Sequence, residues 1–261
     1  MTFLLATHRG DEVYLSQDSA CTLTTRDGTS RLWSRRGGKI CAMSAGRFAF
    51  GLSGNDITCH AISMRLKWGL LRGHRTPFDS LENNITGIWE RLPAKQKTPT
   101  NFVAVGWSHR RGRVAAISSY GDDAAPMTVE ETQEGHIECQ DIVPGYAECT
   151  ELASMKGMTY DIVQFHRLAG INAARQSADG LLAGSAIAGT LTTVRVTEAA
   201  VETVQRFSLD DHLAEHPHQP PIPPSDPEFS YLVGLQSDRL PYAAQPGMTV
   251  DAIHGFAVPR G

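Results

Sequence analysis

Long apolar runs are missing from this sequence. The longest weakly polar stretch, residues 180–191, is built of small side chains and falls short of the roughly 20 residues that span a bilayer. The stretch FLLA at residues 3–6 meets Arg9 and Asp11 too soon to act as a signal peptide. Cysteine is scarce as well. Cys21, Cys41, Cys59, Cys139 and Cys149 are odd in number and no CxxC spacing occurs, which predicts a reduced, cytoplasmic chain. Nor is there an excess of one charge: 24 Lys and Arg stand against 28 Asp and Glu, for a net charge of -4. The clusters Arg35-Arg36 and His109-Arg110-Arg111 are short and isolated, so nucleic acid is not an expected partner. A glycine-rich phosphate loop, HExxH and GxSxG are all absent. Any chemistry must therefore be assembled from residues that are distant in the chain.

What is present reads as a soluble globular chain, with 41% apolar and 20% charged residues among 261. Residues 2–8 and 12–18 alternate around Arg9-Gly10-Asp11, a hairpin signal; the RGD tripeptide is read as a turn, not an adhesion motif. After a polar stretch at 24–38, a second hairpin is predicted from 39–43 and 48–53 around Ala45-Gly46-Arg47. Helical spacing then marks two rows as core faces: Ile57, Ala61, Met64, Trp68 and Leu71, followed by Phe78, Leu81, Ile85, Ile88 and Trp89, broken at Pro93. The period returns to two at 101–107 and 113–119, with short strands near 127–132 and 136–142. A helix carrying Ile162, Phe165, Leu168, Ala169 and Ile171 ends near Arg175, and strands at 190–197 and 200–207 close the compact part.

This order predicts an α+β chain of stacked antiparallel sheets with helices outside. From about 208 the composition shifts, and HPHQPPIPPSDPEF reads as a linker or extended arm. The chain thus divides into residues 1–207 and a Pro-rich extension, 208–261. His212, His216 and His218 cluster in the extension, without a cysteine or carboxylate set to complete a metal site.

Hairpin arithmetic brings chemistry-bearing residues together. A turn about Gly10 makes facing residue numbers sum to about 20 and sets Thr2 opposite Asp18. A turn between Ala45 and Gly46 makes them sum to about 91 and sets Lys39 beside Gly51 and Leu52. Once Met1 is removed, Thr2 carries a hydroxyl and an α-amine of pKa about 7.7–8.0, able to accept a proton near neutrality. A nearby lysine lowers the pKa of that hydroxyl, a buried aspartate holds the lysine, and a glycine N–H can receive an oxyanion.

The segment resembles the N-terminal half of the proteasome β-subunit and HslV-like family of N-terminal-nucleophile (Ntn) hydrolases. The resemblance rests on Thr2, QDSA with Asp18, GGKICAM with Lys39, and FGLSGN with Gly51. It implies a four-layer αββα sandwich over roughly residues 2–207. It also implies Thr2 as nucleophile, Asp18 and Lys39 as its charge partners and Gly51 as oxyanion donor. Ala49 corresponds to the floor of the substrate pocket, joined by Cys21, Cys41 and Ser53; ordinary strand packing explains Cys41 and Ala49 equally well. No cofactor or metal is implied. A homo-oligomer is implied, a ring being one form, with a peptide or amide substrate and an ATP-dependent unfoldase as a further partner.

The supporting shell departs from the family pattern. DIVPGYAE, with Pro144-Gly145, stands where the family carries a serine turn. RQSADG places Gln176 at the position of the family's acid, leaving Ser177 or Asp179 as candidate substitutes. LLAGSAIAG at 181–189 reads as an insertion. These departures keep two alternatives open: a catalytically inactive scaffold subunit, or an acylase acting on a small amide.

Overall fold

The structure, a computed structural model, describes residues 2–24, 30–34, 39–71, 78–122, 127–132, 135–138, 158–159, 161–178, 187–220, 222, 236–237, 248–250 and 257–259. The chain opens with the hairpin β1 (Leu4–Arg9) and β2 (Glu12–Gln17), then β3 (Cys21–Thr24), β4 (Ser30–Ser34), β5 (Cys41–Met43) and β6 (Phe48–Gly54). Helices α1 (Asp56–Leu71) and α2 (Leu81–Glu90) follow, then β7 (Thr100–Ser108), β8 (Arg113–Gly121), β9 (Thr128–Thr132), β10 (Gly135–Glu138) and β11 (Met158–Thr159). The C-terminal third holds α3 (Ile162–Ala178), β12 (Thr190–Val196), β13 (Val201–Ser208) and α4 (Leu209–Glu215). Three short strands come last, β14 (Gln236–Ser237), β15 (Met248–Val250) and β16 (Ala257–Pro259).

Two five-stranded antiparallel sheets dominate, ordered β10-β1-β2-β12-β13 and β5-β6-β7-β8-β9. Because strand side chains alternate between faces, each sheet feeds two cores. Leu4, Ala6, Val13 and Leu15 of the first sheet meet Ala49, Val103, Val105, Val114 and Ala116 of the second in one cluster. Phe3, Leu5 and Leu191, on the other face of the first sheet, pack under Phe165, Leu168 and Ala169 of α3 and Leu209 of α4. Phe48, Phe50, Phe102 and Ala104, on the far face of the second, pack under Ile62 and Leu66 of α1 and Ile85 and Trp89 of α2. The protein is therefore a mixed α+β chain whose two sheets face each other and carry helices on their outer sides.

A polar pier fastens α3 to its sheet. His166 is fully buried, with Nδ1 2.5 Å from Ser16 Oγ and Nε2 2.9 Å from Thr7 Oγ1. Ser16 Oγ also lies 2.7 Å from Thr193 Oγ1, which accepts from the Gln205 amide at 3.2 Å. Each polar group sunk under the helix thus has a partner, which burial requires.

Three expectations change. The row Ile57, Met64 and Trp68 faces outward, exposed by 63%, 37% and 52%, while Thr58, Ile62 and Leu66 form the inner row. Residue 71 keeps its place in α1, but its side chain lies outside the described residues. The polar stretch 24–38 contains a strand: β4 pairs with β3 in a separate two-stranded ladder. Packing also continues past 207. Ser208 caps α4 by accepting from Asp211 N at 3.1 Å, and both Leu209 and Ile222 are buried in the α3 core, so the change in composition at 208 is not a packing boundary.

Candidate active site

The site lies where the β1–β2 hairpin opens. Gly10, at φ +56°, takes one corner of a two-residue turn, Gly10-Asp11, and the pairing runs from Arg9↔Glu12 to Leu4↔Gln17. Facing numbers therefore sum to 21, one more than a turn centred on Gly10 gives, so Asp18 comes level with Phe3 and not Thr2. Asp18 N donates to Phe3 O at 3.4 Å, and Phe3 N donates to Asp18 Oδ1 at 3.0 Å. In the second hairpin the register is Cys41↔Phe50, Ala42↔Ala49 and Met43↔Phe48, the expected sum of 91, which brings Lys39 to the level of Leu52.

Lys39 bridges the two hairpins. Its Nζ donates to Thr2 Oγ1 at 3.1 Å and to Asp18 Oδ1 at 3.4 Å. Asp18 Oδ2 accepts from Ala20 N at 3.0 Å, so the carboxylate receives two main-chain N–H groups and one ammonium. Burial pushes the Asp18 carboxyl above its ordinary range, against the opposing pull of Lys39 and the backbone donors. The Asp18 side chain is fully buried, that of Lys39 is 15% exposed and Thr2 is 8% exposed. A hydroxyl held by a cation, itself held by a buried carboxylate, is an arrangement that favours loss of the hydroxyl proton.

Gly51 sits on β6 opposite Val103. A Cβ placed there would come within 2.6 Å of Gln17 Oε1 and 2.7 Å of Leu4 Cδ1. Glycine at this position lets the two sheets close together beside the site. Two residues outside the expected set brace the chain beside Asp18, and the first of them holds this closure. Gln17 Nε2 donates to Leu52 O at 2.7 Å, tying β2 to β6, and Ser19 Oγ accepts from Thr190 N at 2.8 Å, tying the chain after β2 to the start of β12. Both flank Asp18 in QDSA, and their position there is the one signal in the sequence that could have found them.

The expected pocket residues separate. Ala49 is buried in the core between the sheets, 0% exposed, in one cluster with Val103 and Val105. Cys41 is buried on the opposite face, its Sγ 3.7 Å from Ser63 Oγ under α1. Ser53 is buried on β6 and Cys21 is half-buried at the start of β3. Cys59 lies within electrostatic reach of Lys39 and Cys21, and burial, aided by Asp56, pushes its thiol up to about 12, which suppresses the thiolate. Ser177 Oγ accepts from Ile187 N at 3.1 Å and so fastens the return from α3. Asp179, Pro144 and Gly145 lie outside the described residues.

Among the described residues no three His, Cys, Asp or Glu side chains gather as a metal site, and no helix is long and apolar enough to cross a membrane. No protein-family model matches the chain, and no curated protein matches it.

Proposed function

We propose that this chain is a threonine peptidase or amidase of proteasome type, with an Ntn-hydrolase αββα sandwich and Thr2 as its nucleophile after removal of Met1. The observation that carries the reading is Lys39 Nζ, which lies within hydrogen-bond distance of both Thr2 Oγ1 and Asp18 Oδ1. In this reading Thr2 Oγ attacks the substrate carbonyl and the α-amine receives its proton, while the Lys39 ammonium lowers the pKa of the hydroxyl. Gly51 N–H stabilises the tetrahedral oxyanion, the departing amine takes a proton, and water then hydrolyses the ester on Thr2. A homo-oligomer, a ring being one form, would enclose such sites and call for an unfoldase.

The test is labelling with a peptide epoxyketone, read by intact mass. Expected are loss of Met1, a single adduct, and no adduct on Thr2→Ala. Retained Met1, or an adduct that survives the substitution, defeats the reading. One observation favours the inactive scaffold: the Ser177 hydroxyl is bonded to the backbone of Ile187, which weakens its candidacy as the missing supporting group.

A further inference from the structure

A cavity lies beside α3, and Thr2, Asp18, Lys39 and Gly51 are not among the residues that line it. It encloses ≈ 560 Å³ between α3, α4 and the segment that follows α4. Its charged and imidazole lining is Arg167, Arg175, His212, His216 and His218, and among the described residues no Asp or Glu lines it. Phe207, Leu168, Ile171 and Ile222 supply an apolar wall.

The cavity is built and braced. Asn172 makes a reciprocal pair with the backbone of Ile222, donating from Nδ2 to its carbonyl at 2.7 Å and accepting its N–H at 3.0 Å. Arg175 is buried and donates to the carbonyls of Gln219 and Pro220 and to Gln219 Oε1. These contacts fix the segment after α4 in place and leave Arg175 as a stationary positive charge in the wall. Arg167 lies over the Phe207 ring at 4.9 Å from its centroid. With the Gln205 amide turned so that its oxygen accepts from Arg167 Nε and Nη2, both at 2.9 Å, the guanidinium is oriented and Nη1 is left outside that pairing. The His212 ring stands 5.5 Å from Phe207 and 4.8 Å from His216, centroid to centroid.

We propose that this cavity binds a small organic oxyanion, a carboxylate or a phosphate or sulfate ester carrying an apolar group, with Arg167 and the paired imidazoles on the charge and Phe207 and Leu168 on the apolar body. A guanidinium held over an aromatic ring and oriented by an amide oxygen is preorganised for such a group, because the ordering cost is already met by the fold. The cavity is of the size that encloses small ligands.

Protonation follows from the geometry. His212 is held below its ordinary pKa by burial, by His216 and by Arg175 and Arg167, with Glu215 opposing. An anion placed among these cations reverses their effect, so binding takes up a proton and strengthens as pH falls. The site is independent of whether Thr2 reacts.

The experiment is calorimetric titration of the full chain with benzoate, benzenesulfonate and benzyl alcohol at pH 6 and pH 8, in buffers of different ionisation enthalpy. Expected is saturable binding of both anions, tighter at pH 6 and coupled to proton uptake, with the alcohol at least roughly tenfold weaker. Arg167→Gln is expected to weaken both anions by roughly tenfold or more, and His212→Gln to remove the proton uptake. Exposed His216→Gln serves as a second variant if Arg167→Gln does not fold. No saturable anion binding, equal affinity for benzyl alcohol, or binding indifferent to these substitutions overturns the proposal.

Discussion

Ser16 and Thr2 each hold a hydroxyl beside a basic side chain, and the closer pair is the one that cannot meet a substrate. Ser16 Oγ is 2.5 Å from His166 Nδ1, yet both residues are fully buried under α3. Thr2 Oγ1 is 3.1 Å from Lys39 Nζ, and there the lysine keeps a surface to solvent and a carboxylate behind it. In the first pair an imidazole is ringed by the hydroxyls of Thr7 and Ser16, with Thr193 behind Ser16. In the second, a buried negative charge positions a positive one against the hydroxyl. Distance alone would choose the wrong pair; access and charge separate structure from chemistry.

Substitutions should pull the two pairs apart. Lys39→Ala is expected to cut epoxyketone labelling and amide hydrolysis by ~10²–10⁴-fold while leaving the fold intact. Single-turnover kinetics and circular dichroism check this, and undiminished labelling would remove Lys39 from the mechanism. His166→Ala should do the reverse. It leaves Ser16 and Thr7 buried without their shared partner and opens a cavity, for a loss of about 3 kcal/mol in urea unfolding, with labelling per folded molecule unchanged. Replacing Thr7, Ser16 and His166 together by Val, Ala and Leu should recover most of that loss.

A smaller effect is expected at Gly51→Ala. A methyl group would have to displace Gln17 and Leu4, at about 1–3 kcal/mol, and would loosen the sheet contact beside Thr2. An unchanged urea midpoint would show that the sheets yield there.

The smallest effect is defined by its sign. The folded chain holds the Asp18 proton above the ordinary carboxylate range, where the unfolded chain has already released it. This contribution to stability is therefore complete below that range and is lost as pH rises through the raised value. The stability of Asp18→Asn relative to the parent should climb as pH increases from about 4 to 7. A parallel pair of curves would show that Lys39 and the backbone N–H groups offset burial completely.

Local rules recovered some of this from residues alone. The Ala45-Gly46 turn set the second hairpin's register without error, because three residues of β5 leave little room for slippage. The first hairpin differs by one because its turn uses Asp11 as well as Gly10, and period-two alternation cannot choose between turns of different length. In α1 two rows share helical spacing. The inner one begins at Thr58, whose hydroxyl donates to Gln96 O at 2.5 Å, while the more apolar row faces out. Hydrophobicity pointed to the wrong row because a buried threonine satisfied by a backbone carbonyl looks polar on paper. Gln17 and Ser19 are legible only as neighbours of Asp18 in QDSA, because each acts on a backbone group more than thirty residues away and the local pattern does not name that partner. The α4 helix was obscured by the prolines and histidines that follow it.

The seat of Asp18 has a consequence for how this chain can change over generations. Two of its three donors are the main-chain N–H groups of residues 3 and 20, which every amino acid except proline supplies. Drift at those two positions is therefore governed by core volume, with the carboxylate indifferent to which side chain fills it. Diverging copies of this chain should vary in kind at positions 3 and 20 while Asp18 and Lys39 stay paired. Proline is the one residue that neither position can accept without releasing the carboxylate.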